Sequence, residues 1–233
     1  MKVDTARLAF LRNALRGWGR KNLRSFPWRE TRDAYRVLIA ELMLRRTRPA
    51  QVLPVYEAFV KKYPSPRDLG KASDGDLYRL LTPLGLRWRV RNIVSLAKEL
   101  VSLRADALRN PSTLRKLPGV GEYVAGAVQI MVSNRAEAVI DTNVIRVLGR
   151  YWGLRVHPEA RREREFKELA AGCVPERDPK RYTLALLDLG ASICTPRRPR
   201  CGDCPLKACC SFALNNLPGW EYALQEKSGK RVA

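Results

Sequence analysis

Histidine is almost absent from the chain, because the only one is His157, in the stretch VHPEA. Triads of the Ser-His-Asp or Cys-His kind need a histidine base, and many zinc sites need several imidazoles. We interpret His157 as a loop residue, since it stands directly before a proline. Any catalysis therefore has to use carboxylates, hydroxyls, lysines or cysteines.

Long apolar runs are also missing. No stretch approaches the ~20 apolar residues that a membrane-spanning helix needs, and the first residues, MKVDTARLAFLRNALRGWGRK, carry too many charges for a signal peptide. We expect a cytoplasmic protein of a prokaryotic cell, associated with the nucleoid and without a membrane partner. Thiols stay reduced there, so clustered cysteines bind metal more often than they form disulfides.

Acidic residues are scarce relative to basic ones. The chain has 44 Lys and Arg against 23 Asp and Glu, a formal net charge of +21. Such an excess on a folded chain indicates a polyanionic partner, most simply nucleic acid. The alternative is the arginine-rich surface of a thermophile, but that surface normally carries balancing acids in ion-pair networks.

Signals for β-structure are lacking, since no segment alternates with period two for long and no Asn-Gly hairpin occurs. The spacing of apolar residues is helical instead, and Asp33 is a typical N-cap. The stretch FPWRET, with Pro27, breaks the first helix. We predict an all-α fold with helices over 5–19, 33–47, 49–64, 74–82, 88–103, 111–117, 121–132, 142–153, 160–172 and 180–192.

Five of the six cysteines lie between Cys194 and Cys210. Four of them fit the spacing C-x6-C-x2-C-x5-C, and these are Cys194, Cys201, Cys204 and Cys210. A four-thiolate set suits zinc or a [4Fe–4S] cluster, while two C-x2-C pairs are more usual for zinc. The spacing therefore favours the cluster without excluding zinc. We interpret Cys209 as a non-ligand and Cys173 as a buried apolar residue.

The stretch LPGVGEYVAGAV contains a second motif. Pro118 ends one short helix, and two glycines, Gly119 and Gly121, precede the next one. A turn of this kind directs backbone N–H groups outwards at a helix N-terminus, where they can bind an anion. With the positive charge of the chain, a helix-hairpin-helix that binds phosphate is the better interpretation. We predict DNA contacts from Leu117, Gly119, Val120 and Gly121.

The hairpin LPGVG, the sequence VID that ends eighteen residues after Tyr123, and the cysteine pattern together resemble the iron–sulfur branch of the helix-hairpin-helix (HhH-GPD) DNA glycosylase superfamily. The stretches FPWR and ELMLRRT are similar to the part of that branch with MutY and the archaeal mismatch-specific thymine/uracil glycosylase; endonuclease III is a further relative. The resemblance covers about residues 24–210.

This resemblance implies two helical lobes. One is a six-helix barrel-type domain, 30–135, with the hairpin; the other combines 1–29 with 136–233 and carries the cluster loop, 194–210. It also implies a [4Fe–4S] cluster on the four patterned cysteines, and double-stranded DNA as the partner. The basic residues of the cluster loop would contact the phosphate backbone, and these are Arg197, Arg198, Arg200 and Lys207.

The same resemblance places catalytic roles on Asp141 and Tyr123. Asp141 corresponds to the catalytic aspartate, which stabilises the cationic sugar and positions or deprotonates water. Its alternative is an ordinary N-cap of the helix that begins at DTNV. Tyr123 stands where bifunctional relatives have a Schiff-base lysine, and its alternative is an aromatic packed in the core.

Glu41, Arg46 and Arg45 are further candidates. Glu41 lies in the apolar stretch VLIAELML, where a carboxylate is costly unless it has a partner or a function; a buried Glu–Arg pair is the alternative. The resemblance implies that Arg46, in the stretch LRRT, would insert into the gap left by a flipped base or contact the orphan guanine. Arg45 is the weaker candidate, and either arginine could simply contact phosphate.

The resemblance implies a monofunctional glycosylase, without AP-lyase activity, that removes thymine or uracil mispaired with guanine, and we expect it to be a monomer. A short MutY-like adenine glycosylase is one alternative, although no further domain fits after Cys210. A non-catalytic iron–sulfur DNA-binding protein is another. One departure from the family is Glu122, an acid where the family commonly has Lys or Arg after GVG.

Overall fold

A computed structural model describes residues 4–85 and 87–215, and within these ranges every regular element is helical and there is no strand. The expectation of an all-α chain is therefore confirmed for the described residues. The α-helices are α1 (Thr5–Asn22), α2 (Pro27–Glu30), α3 (Ala34–Leu44), α4 (Pro49–Lys62), α5 (Pro66–Gly70), α6 (Asp74–Leu81), α7 (Arg87–Leu100), α8 (Pro111–Lys116), α9 (Glu122–Ser133), α10 (Thr142–Trp152), α11 (Arg164–Cys173), α12 (Pro179–Ser192) and α13 (Ser211–Asn215).

The chain divides into two compact units. We call Ser25–Arg135 the central unit, and Met1–Arg24 together with Ala136–Ala233 the terminal unit. The lobe boundaries expected from the sequence, 29/30 and 135/136, stay a prediction, and residues 216–233 of the second lobe lie outside the described part. No described helix is long and apolar enough to cross a membrane.

The core of the central unit is organised around α3. Asp33 caps this helix, since its carboxylate accepts hydrogen bonds from the backbone N–H groups of Tyr35 and Arg36. Every position from Ala34 to Met43 except Arg36 is buried, and α3 packs on α4, α7 and α9. A helix that is apolar on nearly all sides is buried in this way because no face of it favours water. Glu41 is thereby carried into the interior.

The core of the terminal unit forms where α1 and α10 pack on α12. Helix α1 begins at the N-cap Asp4 and buries Leu11 and Leu15 on one face. The opposite face is basic and exposed, which keeps the helix amphipathic. This packing joins the first residues of the chain to its C-terminal half.

Three local expectations differ from the structure. Pro27 does not only interrupt the chain: it occupies the first turn of α2, where its missing N–H costs no hydrogen bond. The helix expected over 160–172 begins at Arg164, because residues Pro158–Arg162 form a 3₁₀-helix. The short helices α5 and α13 were not expected, because segments of five residues carry too little apolar periodicity.

Candidate active site

Asp141 is the N-cap of α10. One carboxylate oxygen, Oδ1, accepts a hydrogen bond of 2.7 Å from the backbone N–H of Val144, and Oδ2 accepts one of 2.8 Å from the side-chain amide of Asn143. The capping role expected as an alternative is therefore present. It does not exclude a catalytic role, because the two hydrogen bonds fix the direction of the carboxylate and the residue as a whole is only partly buried.

The surroundings of Asp141 raise the pKa of its carboxyl group. Burial is the largest cause, and the hydrogen bonds from Val144 and Asn143 and the positive charge of Arg146 act in the opposite direction. Burial raises the pKa because protein around the carboxylate replaces water that would stabilise its charge. A carboxylate in such a place interacts strongly with a positive charge that develops nearby.

Asn143 is itself held by a buried arginine. The guanidinium of Arg146 donates to Oδ1 of Asn143 at 2.8 Å, to the backbone carbonyl of Gly190 at 2.7 Å and to that of Cys194 at 2.7 Å. Gly190 leaves the room for Asn143, since a Cβ at this glycine would lie 2.7 Å from the Cβ of Asn143. The direction of the Asp141 carboxylate thus depends on a network that runs to α12 and to the first patterned cysteine.

The sequence did not indicate this network, because no functional role was assigned from it to Arg146 or to Asn143. The signal that could have indicated it is an arginine on the buried face of α10, one turn after Asn143, because a buried arginine needs several acceptors.

The hairpin of the central unit connects α8 to α9 through residues 117–121. Gly119 has a positive φ of 77°, and the side chain of Asn92 would lie 2.9 Å from a Cβ at this position. Gly121 is the N-cap of α9 in an extended conformation, with φ −97° and no side-chain cap. Only the first glycine is therefore required by backbone conformation.

The predicted DNA contacts of the hairpin are restricted to its backbone. The side chains of Leu117 and Val120 are buried, and the N–H of Val120 already donates to the carbonyl of Leu117 at 3.0 Å. The groups that remain to face a phosphate are the first N–H groups of α9, which no side chain caps. Glu122 is exposed in the first turn of this helix.

Glu41 and Tyr123 both belong to the central unit, and Asp141 belongs to the terminal unit. Glu41 lies in the middle of α3 and is 5% exposed, while Tyr123 is the second residue of α9 and is partly exposed. The two helices pack on each other. Because Tyr123 is only partly buried, it is not fully enclosed in the core.

The segment that follows α3 carries the two candidate arginines. Both are exposed, and Arg46 has a positive φ of 57°, which is uncommon for a residue with a Cβ. Arg45 donates from Nη1 to the carbonyl of Gly119 at 3.1 Å, and its guanidinium lies 4.7 Å from the ring centre of Trp88. Backbone strain of this kind occurs preferentially at functional sites.

The four patterned cysteines line one cavity in the terminal unit, and Cys209 does not. The pKa of Cys204 is raised to about 12, first by burial and then by the neighbouring thiols of Cys194, Cys210 and Cys201, against a backbone hydrogen bond from Leu206 that lowers it. These side chains are thus gathered at one place, where thiolates need a positive partner. Among the described residues no three His, Cys, Asp or Glu side chains are arranged to hold a single metal ion.

Arg150 supplies positive charge at this cavity and was also missed from sequence. It is only 2% exposed, and it donates to Sγ of Cys194 at 3.4 Å and to the carbonyls of Thr195 and Pro196 at 2.8 Å each. Its guanidinium lies 4.6 Å from the ring centre of Phe212. The donor set and the buried cation fit a cofactor of negative charge held by thiolates.

The basic residues of the cysteine loop are all exposed. Arg200 forms an ion pair with Asp203 at 3.7 Å, and Nζ of Lys207 donates to the carbonyl of Gly202 at 3.2 Å. Arg197 and Arg198 have no ion-pair partner among the described residues. These two are therefore the side chains of the loop that are best placed to bind an external anion.

A family model described as "HhH-GPD superfamily base excision DNA repair protein" matches residues 39–171. The chain belongs to this superfamily. The resemblance to the helix-hairpin-helix glycosylase superfamily is thereby confirmed.

Relatives of this HhH-GPD protein include archaeal enzymes of similar length. It is 34% identical to the thymine-DNA glycosylase of Aeropyrum pernix, over 92% of this chain and 99% of that protein. It is 33% identical to the thymine/uracil-DNA glycosylase of Methanothermobacter thermautotrophicus, over 90% of this chain and 96% of that protein. Identity to the human adenine DNA glycosylase is 34%, over 89% of this chain but 40% of that protein.

The fold of this HhH-GPD protein is similar to a solved structure described as a thermostable thymine-DNA glycosylase. The TM-score is 0.82 and the sequence identity is 29%, over 90% of this chain and 98% of that one. The helical architecture described above is thus the architecture of a DNA glycosylase, and the chain is an enzyme of that class.

Proposed function

We propose that this protein is a monofunctional DNA glycosylase of base excision repair that removes thymine or uracil mispaired with guanine. The observation that carries this proposal is the near full-length similarity, at 34% and 33% identity, to two archaeal proteins named for thymine and for thymine/uracil. The substrate is double-stranded DNA from which the mispaired pyrimidine is flipped before the N-glycosidic bond breaks.

Asp141 is the residue that promotes bond cleavage in this proposal. As the pyrimidine departs, positive charge develops on the deoxyribose, and an oriented carboxylate stabilises it. The same carboxylate accepts a proton from, or positions, the attacking water. The hydrogen bonds from Val144 and Asn143 support this role, because they hold the carboxylate in place before the charge develops.

Tyr123 accounts for the expected lack of AP-lyase activity. Strand cleavage through a Schiff base needs an amine nucleophile, and a phenol at this position in the first turn of α9 cannot form one. Its partial exposure is compatible with a place against the flipped pyrimidine. Reduction with borohydride in the presence of abasic product should therefore trap no covalent protein–DNA adduct.

Glu41 and Arg46 are proposed to act on the bases themselves. Glu41 would hydrogen-bond to the edge of the flipped pyrimidine. Proton donation by an acid is less useful for a departing pyrimidine than for adenine. Arg46 would fill the gap in the duplex or donate to the acceptor edge of the orphan guanine. The left-handed backbone of Arg46 supports a functional role, because such strain is retained where function requires it.

DNA binding is proposed to rest on phosphate contacts from two places. The first N–H groups of α9 would bind one phosphate. The exposed side chain of the nearby Glu122 would point away from that phosphate. The exposed basic residues of the cysteine loop, above all Arg197 and Arg198, would bind others. Phosphate contacts of this kind give affinity but no choice of sequence.

The cofactor proposed for the cavity is a [4Fe–4S] cluster on Cys194, Cys201, Cys204 and Cys210. When bound, it would stabilise the loop that presents the basic residues. Zinc is the alternative, but four-cysteine zinc sites usually have two C-x2-C pairs, and this loop has one. Arg150 fits either group, because four thiolates leave negative charge on a cluster or on zinc that a buried guanidinium offsets.

The experiment is a single-turnover assay of base release on duplexes with one T·G, U·G or A·8-oxoguanine pair. We expect release of thymine, uracil or both, and none of adenine. Release of adenine alone would identify a short adenine glycosylase, which the 34% identity to the human enzyme makes the relevant rival. Binding without any release would indicate a non-catalytic protein. Monomeric state and location at the nucleoid in the cytoplasm are parts of the same proposal.

A further inference from the structure

Three segments of the central unit meet at one arginine. Arg45 follows α3, Trp88 lies in the first turn of α7, and Gly119 lies in the hairpin turn. One N–H of the Arg45 guanidinium donates to the Gly119 carbonyl at 3.1 Å, and its centre lies 4.7 Å from the Trp88 ring centre. Neither the family match nor the sequence assigns a role to Trp88.

The arrangement uses properties that arginine has and lysine lacks. A flat guanidinium stacks on an aromatic ring and at the same time donates in its own plane, whereas an ammonium has no face to stack. The acceptor is also fixed, since Gly119 adopts a positive φ and packs against Asn92. The contact therefore joins two pieces of backbone that each have a defined conformation.

Arg45 carries its charge next to a second arginine. The pKa of Arg45 is lowered, first by partial loss of water around the guanidinium and then by the positive charge of Arg46. Arg46 is held in a left-handed conformation at the next position, and the N–H of Thr47 closes the turn on the carbonyl of Leu44 at 3.1 Å. The hydrogen bond to Gly119 and the stacking on Trp88 thus hold Arg45 beside a like charge.

We propose that Arg45 and Trp88 are positioning residues that hold the turn at Arg46 against the hairpin. The contact of Arg46 with the orphan guanine and the phosphate contact of the hairpin then keep a fixed spacing when the protein binds the duplex. This proposal rests on the proposed function, and it replaces a direct phosphate contact of Arg45 by an indirect role. Arg45 then acts through Arg46 and through Gly119, without touching DNA.

Matched variants separate the two roles of Arg45. Arg45→Lys keeps the charge and removes the stacking, and Arg45→Gln removes both. A positioning role predicts that both variants lose about tenfold of the preference for T·G over T·A duplexes in binding. It also predicts that the slope of log K against log salt concentration is unchanged, because every phosphate contact is still made. Arg79→Gln, an exposed arginine paired with Asp76, controls for the removal of one charge.

Trp88 provides the second arm of the experiment. Trp88→Phe keeps an aromatic face and should bind like the wild type, and Trp88→Leu should match Arg45→Lys. The double variant Arg45→Lys/Trp88→Leu should be no worse than either single one, since both changes break the same contact. Circular dichroism and thermal unfolding of each variant identify any general loss of folding. If a variant other than Arg45→Lys and Trp88→Phe loses its fold, these two are compared: the proposal predicts a reduced preference for T·G in Arg45→Lys and a normal one in Trp88→Phe.

Two results would overturn the proposal. One is a salt slope that falls by about 0.9 in Arg45→Gln with Arg45→Lys like the wild type, which is the behaviour of a phosphate contact. The other is an unchanged preference for T·G in Arg45→Lys and Trp88→Leu. Failure of the proposed function looks different, because then the wild type itself releases neither thymine nor uracil from G-containing pairs.

Discussion

The side-chain amide of Asn143 donates a hydrogen bond of 2.8 Å to Asp141, and Arg146 holds the other end of that amide at 2.8 Å. Asp141 is the proposed catalytic carboxylate, and Asn143 and Arg146 help to set its direction. The geometry of the site is therefore determined partly by α12, on which Arg146 and Asn143 rest.

The first prediction concerns pH. The ionised form of Asp141 is the active one, and its pKa is raised by burial. The single-turnover rate should therefore fall with decreasing pH at a higher pH than an ordinary aspartate would give. Asn143→Ala removes a hydrogen bond that lowers this pKa, so the fall should move to still higher pH, with a rate about tenfold lower.

A matched variant tests the same contact from the opposite side. Gly190→Ala places a Cβ 2.7 Å from the Cβ of Asn143, and should displace the amide and reproduce the effect of Asn143→Ala. Gly172→Ala, a glycine with open space around it, is the control. If the single-turnover rate falls over the same range of low pH in all variants, Asn143 has no influence on the reacting carboxylate.

The second prediction concerns the hairpin. Gly119→Ala should destabilise the protein by about 1–2 kcal/mol, because a Cβ at a left-handed position is unfavourable. The new Cβ would also lie 2.9 Å from the side-chain nitrogen of Asn92. Gly121→Ala should change stability little, since its φ is −97° and nothing lies near its Cβ. Urea unfolding measures both, and equal effects of the two substitutions would contradict the geometry described here.

The third prediction concerns the cysteines. Cys194→Ser should lower the bound iron and sulfide of protein purified without oxygen, whereas Cys209→Ser should leave them unchanged because Cys209 does not line the cavity. Arg150→Met should also lose iron, since it leaves a ligand thiolate without its hydrogen bond. Zinc in place of iron, in the wild type, would show that the cavity holds the other metal.

The fourth prediction concerns salt. The double variant Arg197→Gln/Arg198→Gln should bind duplex DNA more weakly, and the slope of log K against log salt concentration should fall by about 0.9 for each phosphate that the loop no longer neutralises. Arg164→Gln, which removes an exposed arginine paired with Glu168, should leave the slope unchanged. Equal slopes for all three proteins would mean that the cysteine loop does not contact phosphate.

The sequence predicted most of the helices correctly, because local features decide where they lie. Asp33 caps α3, and the helical spacing of Val52, Val55, Tyr56 and Phe59 corresponds to the buried face of α4. The short helices were missed because five residues show no period. For these parts of the chain, local pattern and tertiary packing favour the same structure.

The candidate site was predicted less completely, since long-range contacts determine it. Asp141 was found through its place after the hairpin, but the roles of Asn143 and Arg146 depend on Gly190 and Cys194, which are more than forty residues away in sequence. Arg150 and Trp88 likewise have partners that only the fold brings near. No local pattern distinguishes such residues from ordinary members of a helix.

The most direct test of the account compares wild type and Asp141→Asn on a duplex with one T·G or U·G pair, under single-turnover conditions with binding measured alongside. The account predicts pyrimidine release by the wild type, and a rate lower by about 10²-fold or more in the variant with its affinity for DNA retained. Equal rates in the two proteins, or no release of thymine and uracil by the wild type, would contradict it.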